Sequence, residues 1–392
     1  MTIFNIINYV KYSPIAFRLY NYIGSSILKI CKYFIKKDKN LVIFVSYGGR
    51  KYDDSPKAIY EEMIKDERFS SIKYLWAFLD PSAHNLPSER KINISSFKYF
   101  IKLLKASAWI TNSSVERGLT INNKNTFYLN TWHGTPIKKM GLDASKESNA
   151  FSKEDGQFPS IMLAQSDYEI DILSRIFSYP QNIFKKIGLP RNDELVKGNN
   201  PNTILQIKHK LKIPQTKKIL LYAPTFREYD KDNLKNCIFR PPLNFKNWEK
   251  DLSQNYILLI RAHYEVAKQL HIQNSDFIRN VSEYESLNEL MLISDILISD
   301  YSSIFFDFSI LARPMLTFCY DYENYSCKRG LYFDIREALK SRNNTEEELL
   351  DEIKNINFIN RSQIASNFRD TYIEAYGDAT LSCCEIIAHH IL

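Results

Sequence analysis

From residue 41 onward the chain alternates short apolar runs with stretches whose apolar residues recur at helical spacing. LVIFVS (41–46), KYLWAF (73–78), AWIT (108–111), TFYLN (126–130) and SIMLAQ (160–165) read as buried strands, being rich in β-branched and aromatic residues and too short for helices. Amphipathic stretches near 55–66 and 97–105 lie between them, and another follows at 167–177. A polar break, KGNNPNT at 197–203, has the Gly, Asn and Pro content of a domain junction. The alternation then restarts with KKILLYAP (217–224), YILLIRAH (256–263), DFIRNV (276–281), DILISD (295–300) and PMLTFC (314–319), and helices are predicted over 244–253, 285–293 and 302–312. Residues 345–392 read as helical, with 372–392 expected to fold back on the first domain. Two such series predict an α/β fold of two doubly wound parallel sheets, one over 41–198 and one over 199–392. In sheets of this kind ligands lie beyond the carboxyl ends of the strands.

Residues 1–40 follow a different pattern. Apolar clusters (Ile3, Phe4, Ile6, Ile7; Ile15, Phe17, Leu19; Ile27, Leu28, Ile30) are interleaved with Lys11, Arg18, Lys29, Lys32, Lys36, Lys37 and Lys39. Seven cations against Asp38 give this leader a net charge of +6, out of +7 for the whole chain, so the body is almost neutral. A basic amphipathic segment fits the headgroup region of an anionic membrane. The alternative is that its helices cap the first domain. A cleaved signal peptide is disfavoured, because no long apolar core leads to a small-residue cleavage site. Nucleic-acid binding is not expected, since readers of nucleic acid carry their basic surface on the folded body.

Length and composition narrow the field only a little further. A chain of 392 residues suits two domains, and 11 Gly and 14 Pro beside 24 Phe and 25 Tyr exclude collagen-like or largely disordered classes. Six cysteines without paired CxxC spacing argue against a disulfide framework or a zinc module. No HExxH is present and the seven histidines are dispersed, so no metal is expected. The absence of GxGxxG and Walker loops removes support for dinucleotide-binding and ATP-hydrolysing folds. Exposure of the body to the cytoplasm is the expectation.

The strand ends hold the candidate chemistry. Asn130-Thr131-Trp132-His133-Gly134-Thr135-Pro136 follows one strand and is expected to lead into a helix near Ile137, with Pro136 in its first turn and Gly134 allowing close approach. His133 is thereby presented on a loop facing the crevice, where an imidazole can accept a proton near neutral pH. Ser299-Asp300-Tyr301-Ser302-Ser303 follows DILIS and precedes an apolar helix, whose free N–H groups would bind a phosphate; plain capping is the bland alternative. Arg227 and His263 end two more strands of the second series, and a guanidinium beside an imidazole could clamp a diphosphate.

At these clusters the sequence resembles the CDP-glycerol glycerophosphotransferase family, the teichoic-acid primases and polymerases. The segments that carry the resemblance are NTWHGTPIKKMG (130–141), IGLPRNDEL (187–195), LLYAPTFRE (220–228), LLIRAH (258–263), SDILISDYSSIFFDF (294–308) and RGLYFD (329–334). The resemblance implies a GT-B fold, two Rossmann-like domains facing across a cleft. It implies transfer of a polyol phosphate from a CDP-activated donor, CDP-glycerol or CDP-ribitol, to a hydroxyl of a lipid-linked or polymeric acceptor at the inner membrane surface, with CMP released and no cofactor. It places the catalytic base at His133, substrate contacts at Gly134 and Thr135 of the same motif and at Glu289, and donor phosphate contacts at Arg227, His263, Ser302 and Ser303. Asp300 would contact the donor polyol. LNELM (287–291) carries Glu289 where many relatives have Asp, and PTFR stands for the commoner TWR with its arginine intact. Without a long N-terminal extension, a bifunctional polymerase is not expected. Competing readings are a nucleotide-sugar glycosyltransferase on the same fold and a membrane-bound scaffold without chemistry.

Overall fold

The computed structural model describes residues 13–121, 123–144, 158–225, 227, 241–262 and 272–392. Two all-parallel sheets form the frame. The first has seven strands in the order β3-β2-β1-β4-β5-β6-β7: β1 (Asp38–Val45), β2 (Lys73–Phe78), β3 (Lys91–Asn93), β4 (Ala106–Thr111), β5 (Phe127–Asn130), β6 (Ile161–Ala164) and β7 (Phe184–Lys186). The second has five in the order β10-β9-β8-β11-β12: β8 (Lys218–Tyr222), β9 (Tyr256–Ile260), β10 (Ile278–Asn280), β11 (Ile296–Ser299) and β12 (Met315–Thr317). The strands are nearly continuous apolar runs because helices cover both faces: Val42 to Val45 of β1 and Leu258 to Ile260 of β9 are wholly buried. Strand order reverses between β1 and β4 in one sheet and between β8 and β11 in the other. The loops leaving those four strands therefore splay apart and open a crevice in each lobe.

Helices Asp54–Met63, Phe97–Lys105 and Asp167–Phe177 form where the amphipathic pattern puts them, each started by an Asp or Ser side chain that accepts a backbone N–H. Two expectations are corrected. The helix predicted over 302–312 is shorter, running Ile304–Ser309. No α-helix starts at Pro136: the pair Lys138–Leu331 instead forms an antiparallel bridge with the second lobe. The Tyr332 and Lys139 N–H groups donate to the Ile137 and Gly330 carbonyls, and Ile137, 2% exposed, enters the apolar core of the second lobe. Burial of that side chain, together with the pairing to RGLYFD, outweighs the local helical preference at Pro136. Edge strands β3 and β7, three residues each, were absent from the sequence-based reading.

The chain's last helix, Ala379–Ile391, lies on the first sheet, with Cys383, Cys384 and Ile387 in the core beside Ile59, Met63 and Phe127. Asp193 accepts from the Ala379 and Thr380 N–H groups at 3.1 and 2.7 Å and so caps this helix from outside it. The second unit expected over 199–392 therefore ends before this helix, which crosses back to the first lobe.

The described part of the leader forms one helix, Pro14–Phe34. One face packs on the first lobe through Leu28, with the Asn21 amide on the Gly118 carbonyl at 2.8 Å and Ser25 accepting from the Thr120 N–H at 2.9 Å. The opposite face leaves Ile15, Leu19, Tyr22, Ile23, Ile27, Ile30, Tyr33 and Phe34 exposed, Phe34 at 85%. Capping of the domain thus uses only half of the helix. Among the described residues no helix is long and apolar enough to cross a membrane. The leader call for residues 1–12 lies outside the described residues.

Candidate active site

His133 leaves the end of β5 on a backbone that changes hand residue by residue. Asn130 Oδ1 accepts the Trp132 N–H at 2.9 Å, and Trp132 takes a left-handed φ of +53°. Tyr47 (φ +48°) and Asp54 (φ +65°), both close to the histidine, are also left-handed. Non-glycine residues in that region cost about 1–3 kcal/mol each and persist where surrounding contacts hold them.

The His133 ring is fixed from behind. Its Nδ1 lies 2.6 Å from the carbonyl oxygen of Asn112, just past β4. A carbonyl only accepts, so Nδ1 carries the proton and Nε2 keeps its lone pair. The Asn112 side chain accepts the Tyr47 N–H at 2.8 Å, and the Tyr47 ring stands 6.0 Å from the imidazole. Burial pushes the His133 pKa below the usual imidazole value, against opposing influences from the Asn112 carbonyl and Asp54. The ring is thus neutral and basic at neutral pH. The acid limb of the pH–rate profile is expected below pH 6.5, and a limb at or above the ordinary histidine value would contradict this environment.

Gly134 brings this loop against the other lobe. At φ +148° it adopts a conformation that disfavours side chains, and a Cβ there would stand 2.9 Å from the Ser303 Oγ. The WHGTP turn and the DYSS turn, whose contacting residues Gly134 and Ser303 are 169 positions apart in sequence, therefore touch. Ser302 Oγ, one residue ahead of the helix's N-cap Ser303, accepts the Ile304 N–H at 3.3 Å.

Below this contact, Arg191 joins the lobes. Its guanidinium pairs with Asp54 at 2.9 Å and Asp307 at 2.8 Å, and donates to the His133 carbonyl at 2.8 Å. Asn192 donates to Asp307 and to the Gln165 side chain, and Gln165 donates in turn to the Thr135 hydroxyl at 3.0 Å. Burial works against ionisation of both Arg191 and Asp54. The Arg191–Asp307 and Arg191–Asp54 attractions nevertheless hold the guanidinium well above its ordinary value, and Arg191 with the Tyr47 hydroxyl holds Asp54 below its own. None of Tyr47, Asp54, Asn112, Arg191 or Asp307 was singled out from the sequence. The one legible signal was Asp307, a lone carboxylate inside the apolar IFFDF segment.

Beneath Thr135, Glu169 is wholly buried and accepts the Gln165 N–H at 2.8 Å. Burial raises its pKa from 4.5 to about 7. Because the folded state holds this proton more tightly than the unfolded chain, stability is expected to fall as pH rises from about 4.5 to about 7. Glu169→Gln should raise the urea midpoint at pH 8 by the equivalent of about 3 kcal/mol and leave it nearly unchanged near pH 4.5. Equal midpoints at pH 8 would refute a buried charge there.

The family described as CDP-Glycerol:Poly(glycerophosphate) glycerophosphotransferase matches residues 27–379. The chain belongs to this family. A teichoic acid glycerol-phosphate transferase of Staphylococcus aureus is 34% identical over 319 residues, covering 77% of this chain and 80% of that protein. A teichoic acid poly(glycerol phosphate) polymerase of Bacillus subtilis is 36% identical over 338 residues, 81% of this chain but 44% of that protein. The chain thus spans about half the length of some curated relatives and most of others. The wall teichoic acid polymerase TagF superposes with a TM-score of 0.83 at 28% identity, covering 100% of this chain and 99% of that one. This match confirms the GT-B type of α/β fold.

Against the family motifs, the structure distributes the expected site residues unevenly. His133, Gly134 and Ser303 come together, with Ser302 beside them. Thr135, expected at the substrate, is 1% exposed and supports the loop from beneath. Arg227, expected on the donor phosphates, is 2% exposed in this structure. Its fork is filled by Asp300 at 2.9 Å and Asp321 at 2.7 Å, with the rings of Tyr301, Tyr320 and Tyr325 5.0–5.3 Å away. Asp300 is likewise buried and accepts the Thr225 and Tyr301 N–H groups, so here it shapes the loop after β11. Glu289 is paired with Lys210 at 2.8 Å and bonded to the Tyr284 hydroxyl. His263 lies outside the described residues.

Proposed function

We propose that this glycerophosphotransferase family member transfers glycerol phosphate from CDP-glycerol to a hydroxyl of a polymeric or lipid-linked acceptor and releases CMP. The observation that carries the reading is His133: an imidazole with Nδ1 committed to the Asn112 carbonyl and Nε2 left basic, on a turn that touches the serine loop of the opposite lobe. In the reaction Nε2 takes the proton of the acceptor hydroxyl, and that oxygen attacks the glycerol-bearing β-phosphorus. The bond from this phosphorus to the bridging oxygen breaks, and its electron pair leaves with CMP. Ser302 and Ser303 offer hydroxyls to the phosphate oxygens, with positioning and electrostatic stabilisation supplying most of the catalysis. Arg227 secures the strand-end loop that carries the serines by gripping Asp300 and Asp321.

Glycerol is preferred over ribitol because the relatives that match over most of the chain are glycerol-phosphate enzymes, whereas the ribitol-phosphate relatives match over 54% and 30% of it. Incubation with CDP-glycerol, CDP-ribitol and UDP-sugars, with analysis of the nucleotide released, tests the assignment. CMP from CDP-glycerol is expected. Release of UDP from a UDP-sugar, with CDP-glycerol inert, would sink it.

The exposed apolar face of Pro14–Phe34, flanked by Arg18, Lys29 and Lys32, supports a position flat on the anionic inner membrane surface. Replacing Ile23 and Ile30 by Ser is expected to reduce binding to phosphatidylglycerol vesicles, and unchanged cosedimentation would refute that position.

A further inference from the structure

Arg191 and Arg227, the buried arginines described above, are each held by two carboxylates. Arg50 and Arg117 are different. No ion pair among the described residues includes either of them. Yet they converge: a Cβ on Gly48 would lie 3.5 Å from Arg50 Nη1 and 3.9 Å from Arg117 Nη1. Arg50 is exposed and anchored by a 3.0 Å bond to the Tyr47 carbonyl, Arg117 is partly exposed, and Lys51 lies 5.8 Å from the Tyr47 ring centre. Three cations are thus gathered at one rim without a carboxylate pairing with either arginine, an arrangement that repels itself until an anion enters.

Their place in the fold identifies the anion. Arg50 is on the loop after β1 and Arg117 on the loop after β4, the two strands between which the first sheet reverses. On one side the cluster adjoins Tyr47, whose ring is 6.0 Å from that of His133. On the other it adjoins the leader helix: the Tyr20 hydroxyl donates to the Arg117 carbonyl at 3.2 Å, and a Cβ on Gly118 would meet Phe17 at 2.9 Å. The serines that face the donor are on the opposite lobe, so this rim flanks the path of the acceptor. We propose that Arg50 and Arg117 form a subsite for a phosphodiester of the acceptor chain, gripping it between the membrane-facing helix and the base. Guanidinium forks match phosphate oxygens, and a glycerol phosphate chain presents such a group one three-carbon unit from its reacting hydroxyl. The inference rests on the transferase reading above and adds to it where the acceptor is read.

The test uses the full chain and a fluorescently labelled short oligo(glycerol phosphate), with a neutral oligoglycerol of equal length as control. Arg50→Gln/Arg117→Gln should bind the phosphate oligomer at least about tenfold more weakly than the parent, while Arg50→Lys/Arg117→Lys recovers part of the loss. Affinities for the neutral oligomer and for CDP-glycerol should not change. Equal oligomer binding by parent and Gln variant would overturn the subsite, as would failure of the parent to bind it. So would loss of binding to phosphatidylglycerol vesicles with oligomer binding intact, which would assign the arginines to lipid headgroups. Direct binding needs no turnover. Arginine-dependent binding with no CMP release would therefore discard the donor reading and leave the anion site standing.

Discussion

Alanine in place of His133 is expected to abolish transfer while CDP-glycerol still binds. The imidazole contributes a proton acceptor at one atom, Nε2, because Nδ1 is committed to the Asn112 carbonyl at 2.6 Å. Removing a positioned general base lowers turnover by typically about 10²–10⁴. The serine loop lies on the other lobe and is held by its own bond from the Ile304 N–H to Ser302 Oγ, so the substitution leaves it in place. Single-turnover CMP release and calorimetric titration with CDP-glycerol separate the two effects. Unchanged turnover would end the assignment of the base. A parallel collapse of donor affinity would show that the ring binds rather than reacts.

Methionine in place of Arg191 is expected to cause a large loss of stability. The guanidinium is the shared partner of Asp54 and Asp307, whose side chains are 2% and 8% exposed. Without it two carboxylates face each other in a low-dielectric interior, and removing one member of a buried ion pair costs about 3–5 kcal/mol. Lysine should rescue poorly, because a single ammonium cannot reproduce separate bonds to two carboxylates and the His133 carbonyl. Urea unfolding followed by circular dichroism checks the expectation. An Arg191→Met midpoint within experimental scatter of the parent would show that the bridge carries no net stability. The triple variant Arg191→Met/Asp54→Asn/Asp307→Asn should recover much of the loss, because the stranded charges are then gone.

These two residues also mark what the sequence could and could not reveal. The strands were legible because parallel strands covered on both faces are written as unbroken apolar runs, as in LVIFVS and DILISD. Edge strands β3 and β7 escaped because KIN and FKK each hold a single apolar residue among polar ones, and so carry no apolar run. His133 stood out because Gly and Pro flank it at a strand end. Arg191 did not, since its meaning depends on carboxylates 137 and 116 positions away that only folding brings near. Arg227 shows another limit. Its place at a strand end was legible, but only the folded chain shows Asp300 and Asp321 beside its guanidinium.

The stitch between Lys138 and Leu331, with Ile137 sunk in the far core, has a consequence for movement. Although the histidine belongs by sequence to the front sheet, the polypeptide immediately after it is tethered to the rear one. Swinging the two sheets apart would drag this strap along with the serine-bearing half. Because the Asn112 carbonyl holds the imidazole to the front sheet, the turn is anchored on both sides, and opening the cleft would strain it rather than leave the histidine and the serines unmoved.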